Sequence, residues 1–166
     1  TIHEFKVEYL QVLDLDGNVD EDNLPDLDED QIKELYHLMV LCRTLDTKLF
    51  KLQRSGKIGT YAELRGEEAS EVGSGYALSD QDWMIPSFRE TGVYITRGVD
   101  RGKLVQAWNG DSRAFKTEEG SKNLPISIPI GSQILHATGV AWALKIRGEK
   151  AAAITYFGDG STSEGD

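Results

Sequence analysis

The chain has 166 residues, a formal net charge of −10 and a single cysteine, Cys42. This length suits one domain and buries enough surface to fold without a metal or a disulfide. One cysteine excludes an internal disulfide framework and favours a reducing, cytoplasmic location, and we expect neither an export leader nor a membrane span. The acidic balance argues against nucleic-acid binding through neutralised phosphates.

Negative charge is concentrated at the start of the chain. Residues 1–35 contain twelve acidic and two basic side chains, which accounts for the whole net charge. We predict an acidic N-terminal arm over residues 1–30, interpreted as a solvated leader or, alternatively, as an arm that lies on a basic partner surface. Within it, the alternation of Val12–Asn18 predicts a short strand that leads into a turn, and Asn18–Asp30 is predicted as a loop.

The strongest helical pattern follows the arm. Asp28 and Gln31 have the spacing of a capping box, which predicts the start of a helix. Apolar side chains at three- and four-residue steps predict one buried face, made of Leu35, Leu38, Cys42, Leu45, Leu49 and Leu52. Gly56 is predicted to end this helix.

Shorter elements are predicted over the middle of the chain. Glu67–Leu78 is predicted as a helix that packs small side chains against a neighbour, namely Ala69, Ser70, Gly73, Ser74 and Ala77. The other segments are predicted as a short apolar stretch at Trp83–Pro86, a polar turn at Ser87–Gly92, a short helix at Arg101–Asn109, a mobile segment without periodicity at Asp111–Leu124 and rigid extended backbone at Pro125–Ile130.

A helix and a strand are predicted next. Gln133–Arg147 is predicted as a helix that ends at Gly148, contains His136 as a core or interface histidine, and is kept thin by Ala137, Gly139, Ala141 and Ala143. Ala151–Phe157 is an unbroken apolar run, typical of a central parallel strand covered on both faces. Helix, strand and the following glycine turn make half of a doubly wound α/β unit, whose ligands bind at the carboxyl ends of the strands.

The glycine turn is the first candidate site. Glycines on both sides of Asp159 permit positive φ and close approach of a ligand, and the hydroxyls of Ser161–Ser163 can cap a following helix whose N–H groups attract phosphate. A carboxylate beside a helix start suits a magnesium diphosphate. A plain strand-to-helix corner is the alternative interpretation.

Two further segments can contact a ligand. Arg89 can hold phosphate through its planar guanidinium, or form a surface ion pair with Glu90 or another acid. Ile128 and Ile130 flank Pro129 on a stiff backbone and can form a shelf under a flat ring, or pack in the core. The sequence contains no HExxH motif, no cysteine pair and no nucleophile elbow, so zinc and serine-hydrolase chemistry have no support.

Several segments occur together in the order and spacing of one protein family. They are RGEEASEVGSGYAL (65–78), SFRETG (87–92), RG (97–98), PISIPIGSQILHATGVAWALKIRG (125–148) and ITYFGDGSTSEGD (154–166). From about Asp28 onward, the chain resembles the alpha subunit of the thiamine diphosphate-dependent 2-oxo acid dehydrogenases, pyruvate dehydrogenase and its branched-chain relative. Several colinear motifs make this resemblance far more specific than any one of them.

The resemblance implies an α/β fold with a doubly wound, mostly parallel sheet and helices on both faces. Residues 31–166 would be the N-terminal part of the thiamine diphosphate-binding domain, truncated because the family motif continues for about thirty more residues to an asparagine that completes the metal site. The loop histidines that assist acyl transfer would also lie beyond Asp166. No catalytic residue is therefore expected within the chain, which we predict to be inactive alone.

The resemblance also implies site residues. Seven would bind thiamine diphosphate: Phe88, Arg89, Ile128, Ile130, Asp159, Gly160 and Ser161. Asp159 would bind Mg²⁺, and Phe88 stands where the family usually has tyrosine, so an aromatic wall remains but a hydroxyl is lost. The positions that hold a potassium ion in the branched-chain enzymes are here Ser127, Pro129, Ser132 and Gln133.

The implied function is oxidative decarboxylation of a 2-oxo acid, with transfer of the acyl group to the lipoyl group of a dihydrolipoyl acyltransferase. The partner would be a beta subunit in an α2β2 heterotetramer, and that subunit would supply the glutamate that activates the cofactor. The segments Gly66–Ala69 and Phe157–Asp166 look closer to branched-chain than to pyruvate forms. The alternatives are another thiamine diphosphate enzyme, such as a transketolase, and a non-catalytic assembly module.

Overall fold

The structure is a computed structural model that describes residues 3–165. It divides into two compact units, Thr1–Ile32 and Lys33–Asp166. Among residues 3–165, five α-helices and two β-strands occur in the order α1 (Glu29–Arg54), α2 (Glu68–Ala77), β1 (Trp83–Ile85), α3 (Thr91–Thr96), α4 (Arg101–Trp108), α5 (Ser132–Arg147) and β2 (Ala153–Thr155). None of the helices among the described residues combines the length and the apolar character that a bilayer span requires.

The first unit contains a tight turn closed by a single antiparallel bridge between Leu13 and Val19. The Asp14 carboxylate closes the turn, accepting hydrogen bonds from the backbone N–H groups of Asp16 at 2.9 Å and Asn18 at 2.8 Å. Gly17 takes a φ of +86°, which favours glycine. The turn predicted at this point is therefore present, whereas the predicted strand is reduced to one bridge.

Helix α1 spans Glu29–Arg54 and starts as predicted. The backbone N–H of Gln31 donates to Asp28 Oδ1 at 2.8 Å and the N–H of Asp28 donates to Gln31 Oε1 at 2.9 Å, which is a complete capping box. The predicted stripe faces the core: Cys42 and Leu49 are fully buried, and the four leucines at the other positions pack against the two apolar clusters. Gly56 follows the helix with a φ of +69°.

Helices α2 (Glu68–Ala77) and α3 (Thr91–Thr96) pack on each other. The prediction of small packing residues on α2 was wrong in its choice of face: Ala69, Ser70, Gly73 and Ala77 are exposed and Ser74 is half-buried. The close approach instead occurs at Gly75, where an added Cβ would lie 3.1 Å from Thr96 Cβ and 3.3 Å from Val93 Cγ1. The segment Ser87–Gly92 is not a simple polar turn, because its last residues begin a buried helix.

Strands β1 (Trp83–Ile85) and β2 (Ala153–Thr155) are parallel, with Met84 opposite Ile154. On its other side, Met84 forms a parallel bridge with Asn123. The central position predicted for the Ala151–Phe157 run therefore belongs to β1, and β2 is only half-buried because its sole strand partner among the described residues is β1.

The segment Asp111–Leu124 has more structure than its irregular sequence predicts. It contains a 3₁₀ turn at Ser112–Phe115. Its end is hydrogen-bonded to β1, because the N–H of Met84 donates to the Lys122 carbonyl and the N–H of Leu124 donates to the Met84 carbonyl, both at 2.9 Å. No local pattern indicates this pairing, since it depends on a strand about forty residues away.

Helices α4 (Arg101–Trp108) and α5 (Ser132–Arg147) confirm two predicted helices. Helix α5 contacts both strands, and its buried residues are Gln133, Ala137 and Leu144. Of the four small residues predicted to keep it thin, Ala137 is buried, whereas Gly139 and Ala141 are exposed and Ala143 is half-buried. His136 was predicted as a core or interface histidine, and the core alternative is wrong, because the residue is exposed and its Nδ1 lies 2.7 Å from the Ser132 carbonyl oxygen one turn back. The interface alternative stays a prediction.

Two apolar clusters form the core of the second unit. The larger joins α1, α2, β1, α3 and α4 around Met84, Val93 and Cys42. The smaller surrounds Trp108, whose ring meets that of Tyr61 edge-on with the centroids 5.3 Å apart. Together they hold the carboxyl ends of both strands in place, where the segments Ser87–Glu90 and Tyr156–Ser161 follow.

Candidate functional site

A cleft of about 610 Å³ opens at the carboxyl ends of β1 and β2. Its walls come from α2, from the segment after β1, from Ile130 and from the segment after β2. This is the edge at which ligands bind in parallel α/β sheets. A second cleft, of about 340 Å³, lies beside α4 and contains none of the predicted site residues.

Five of the seven predicted cofactor residues line the larger cleft: Phe88, Arg89, Ile130, Gly160 and Ser161. Ile128 is 59% exposed and lies outside the lining, and Asp159 lies between two lining glycines without being part of the lining itself. Segments separated by up to about seventy residues along the chain therefore meet in one place.

Arg89 is held at the cleft by two contacts. Its Nη1 donates to the Glu63 carbonyl oxygen at 2.7 Å, and its guanidinium carbon lies 5.5 Å from the centroid of the Phe88 ring. Guanidinium has five N–H donors in a planar fork, of which this carbonyl uses one. The alternative of an ion pair with Glu90 or another acid is not found among residues 3–165. Arg89 can instead offer donors to an anionic group in the cleft.

The glycine turn after β2 has a different backbone from the one predicted. Asp159–Ser163 form a 3₁₀ turn, so the hydroxyl residues lie within it and cap no following helix among residues 3–165. Neither Gly158 nor Gly160 has a positive φ. Both glycines lie beside open space at the cleft, because an added Cβ on either would have no neighbour within 4 Å.

The four predicted potassium positions form a hydrogen-bonded loop before and at the start of α5. Ser132 Oγ donates to the Pro129 carbonyl oxygen at 2.8 Å and lies 2.8 Å from Ser127 Oγ. Gln133 is fully buried; its Nε2 donates to the Tyr156 carbonyl oxygen at 2.8 Å, while its Oε1 has no partner among the described residues. A buried acceptor without a donor fits an oxygen-ligated cation.

The loop approaches the glycine turn at Gly131. Its φ is +85°, and an added Cβ would lie 3.6 Å from the Ser161 carbonyl oxygen. The residue is buried. This contact brings the segment that contains Ile130 beside the segment that contains Ser161, so both belong to the same cleft wall.

Two buried carboxyl groups in the cleft wall escaped the sequence analysis. Glu71 is 3% exposed and Glu90 is 7% exposed, and burial raises the pKa of both, that of Glu71 to about 8. Glu68, in contrast, pairs with Arg43, which lowers its pKa to about 2. One face of α2 is formed by Glu68, Glu71, Val72 and Gly75. Their three- and four-residue spacing is the sequence signal that indicates burial of Glu71.

No group of three or more histidine, cysteine, aspartate or glutamate side chains within residues 3–165 is arranged to hold a metal ion. A metal bound at Asp159 would therefore need ligands from a bound molecule, from water or from residues outside that range. The cleft combines one cation, open glycine backbone and a hydroxyl, which together suit an anionic, phosphate-type ligand.

Comparison with known protein sequences identifies the family of this chain. The sequence model of the dehydrogenase E1 component family matches residues 36–166. The chain is 41% identical over 141 residues to 3-methyl-2-oxobutanoate dehydrogenase subunit alpha of Mycobacterium tuberculosis, covering 85% of this chain and 38% of that protein. It is 42% identical over 162 residues to pyruvate dehydrogenase E1 component subunit alpha of Staphylococcus aureus, covering 97% of this chain and 44% of that protein.

The chain thus spans about two fifths of the length of the curated relatives it matches. The family match covers well over half of the chain and includes every residue of the cleft. On this evidence, the chain belongs to the dehydrogenase E1 component family.

Proposed function

We propose that this chain is part of the alpha subunit of a thiamine diphosphate-dependent 2-oxo acid dehydrogenase. The reaction is oxidative decarboxylation of a 2-oxo acid with acyl transfer to the lipoyl group of a dihydrolipoyl acyltransferase. The observation that carries the proposal is the meeting of Phe88, Arg89, Ile130, Gly160 and Ser161 in one cleft at the carboxyl ends of two parallel strands.

The cleft fits the diphosphate end of the cofactor. Arg89 supplies charge-assisted hydrogen bonds, and the open backbone at Gly158 and Gly160 lets phosphate oxygens approach N–H groups. Asp159 would hold Mg²⁺, and Ser161 would bind the diphosphate through its backbone and hydroxyl. Bound thiamine diphosphate supplies the electron sink that lets a 2-oxo acid lose carbon dioxide.

The aromatic and aliphatic side chains place the rest of the cofactor. Ile130 lines the cleft and would serve as an apolar prop, with Phe88 as a wall, while Ile128, exposed in this chain, would contact the aminopyrimidine. The proposed assembly is an α2β2 heterotetramer with the cofactor at the subunit interface. The two-stranded sheet is then one part of a larger doubly wound sheet.

A potassium ion in the loop before α5 completes the proposal. Ser127, Ser132 and the Pro129 carbonyl provide oxygen ligands, and the unpartnered Gln133 Oε1 provides another. The ion would replace the hydrogen bonds that these oxygens now form with one another. Its role is to stiffen the segment that contains Ile130.

Pyruvate and branched-chain 2-oxo acids remain the two candidate substrates. The relatives named for each are 41% and 42% identical to this chain, which favours neither. Steady-state rates with pyruvate and with 3-methyl-2-oxobutanoate, measured on the assembled full-length enzyme, distinguish them. A preference of tenfold or more for one acid would assign the substrate.

The test is titration of thiamine diphosphate and Mg²⁺ into the full-length protein assembled with its beta subunit. Arg89→Ala should weaken binding by about 1.5–3 kcal/mol, the worth of a hydrogen bond to a charged group. Arg101→Ala is the matched control, because Arg101 is exposed at the start of α4 and lies outside the cleft. Absence of binding, or binding that Arg89→Ala and Asp159→Ala both leave unchanged, would favour a non-catalytic assembly module.

A further inference from the structure

Three buried oxygen atoms in the wall of the large cleft have no hydrogen-bond partner among residues 3–165. They are Glu71 Oε1, Glu90 Oε2 and Thr155 Oγ1, and all three residues line the cleft. Buried polar atoms are almost always paired in folded proteins. Because three such atoms belong to the wall of one cleft, we expect a bound molecule or water to form their missing hydrogen bonds.

Glu71 is the residue whose chemistry is best defined by its contacts. Its Oε2 accepts a hydrogen bond from the N–H of Gly92 at 2.6 Å, which ties α2 to the start of α3. The other oxygen, Oε1, is the one without a partner. Because the backbone donor occupies Oε2, a proton on this carboxyl group sits on Oε1, the unpartnered oxygen of a residue that lines the cleft.

Within residues 3–165, no salt bridge joins Glu71 to a basic side chain. Arg43 pairs with Glu68, Arg97 donates to Asn123 and to two backbone carbonyls, and Arg89 donates to the Glu63 carbonyl. The pKa of Glu71 is raised to about 8, chiefly by burial; the Gly92 N–H opposes the rise, and the charges of Glu90 and Glu67 add to it. The carboxyl group is therefore mostly neutral at pH 7.

We propose that Glu71 is a ligand-binding residue of the cleft, and that its neutral carboxyl group donates a hydrogen bond from Oε1 to an anionic, phosphate-type group held by Arg89. The inference rests on the proposed function in taking that group to be the diphosphate. A neutral carboxyl donor stabilises an anion, whereas a carboxylate at the same place would repel it.

Other titratable groups surround Glu71, and their pKa values determine which of them can change charge between pH 7 and pH 9. Cys42, Tyr61, Glu67, Glu90 and Tyr156 interact with it electrostatically. Burial raises the pKa of Cys42 to about 12 and also raises the pKa of both tyrosines, so these three stay neutral up to pH 9. Glu90→Gln therefore serves as the variant that separates the second buried acid from Glu71.

The experiment measures thiamine diphosphate binding, with Mg²⁺, to the full-length protein assembled with its beta subunit at pH 7 and pH 9. With a pKa of about 8 for Glu71, about nine tenths of the molecules lack the donor proton at pH 9, so the wild-type Kd should rise about tenfold. Glu71→Gln keeps an N–H donor of similar shape, so it should bind within about twofold of wild type at pH 7 and lack the extra tenfold rise.

Two controls isolate the carboxyl group. Glu67→Gln and Glu90→Gln each remove a charge that helps to raise the pKa of Glu71, so both should keep a rise in Kd, with its midpoint moved to lower pH. Calorimetry of the wild type at pH 8 in buffers of different ionisation enthalpy should show uptake of up to about half a proton on binding, a readout that needs no variant.

The outcomes separate the two proposals. Wild-type binding at pH 8 without proton uptake, or a rise in Kd that is equal in wild type and Glu71→Gln, would overturn the role of Glu71 alone. A rise abolished by Glu90→Gln but kept by Glu71→Gln would also overturn it. Absence of any thiamine diphosphate binding at pH 7 would overturn the proposed function, and this inference with it.

Discussion

The Asp46 carboxylate fixes the segment between α1 and α2, and its removal should destabilise the protein strongly. Asp46 is 2% exposed, and its Oδ1 accepts both the Tyr61 hydroxyl at 2.7 Å and the backbone N–H of the buried Leu64 at 2.9 Å. The same segment presents the Glu63 carbonyl to Arg89 at 2.7 Å. One oxygen therefore supports both the core and the cleft.

The magnitude follows from the two hydrogen bonds. Asp46→Asn keeps an acceptor oxygen but loses the charge, which should cost about 1–2 kcal/mol of unfolding free energy. Asp46→Ala leaves two buried donors without an acceptor, which should cost about 3 kcal/mol or more. Tyr61→Phe keeps the ring against Trp108 and removes one bond, so it should cost about 1–2 kcal/mol.

Urea unfolding of the full-length protein, followed by circular dichroism, measures these changes. The midpoint should fall in the order wild type, Asp46→Asn, Asp46→Ala, and Asp80→Asn, at an exposed acid, should change the free energy by less than about 0.5 kcal/mol. The double variant Asp46→Ala with Tyr61→Phe should be less destabilised than the sum of the two. A free energy for Asp46→Ala within about 0.5 kcal/mol of wild type would refute the reasoning.

Three further substitutions, at Gly92, Glu71 and Arg97, test individual contacts seen in the structure. Gly92→Ala places a Cβ 2.7 Å from Glu71 Oε2, so we expect a loss of about 1–3 kcal/mol and a lower Tm; an unchanged Tm contradicts this. Because burial raises the pKa of Glu71 to about 8, the folded chain keeps a proton that the unfolded chain releases, and wild-type stability should fall between about pH 5 and pH 8. In urea titrations, Glu71→Gln should lose this dependence of the unfolding free energy on pH. An equal pH dependence in wild type and variant would contradict the prediction. Arg97→Lys should cost about 1–2 kcal/mol, since an ammonium cannot reproduce the guanidinium fork on Asn123 and Asp82; an equal midpoint would count against the fork.

Helix starts and ends were predictable because their signals are local. The capping box at Asp28 and Gln31, the stripe of α1 and the left-handed Gly148 after α5 each act within one or two turns. Helix α3 had no such signal: it has six residues, and its burial against α2 sets its structure. The same holds for the pairing of Asn123 with β1.

The amino-acid sequence by itself determined the family, the long helices and the identity of the segments that meet at the cleft, because colinear motifs and periodic stripes are properties of the chain. Only the tertiary structure decided that β1 rather than β2 lies between two neighbours, that Ile128 stays outside the cleft lining and that Glu71 is buried in it. Strand order and the environment of a carboxyl group both depend on residues far away in the sequence. The pKa of Glu71 is raised because that environment removes its carboxyl group from water.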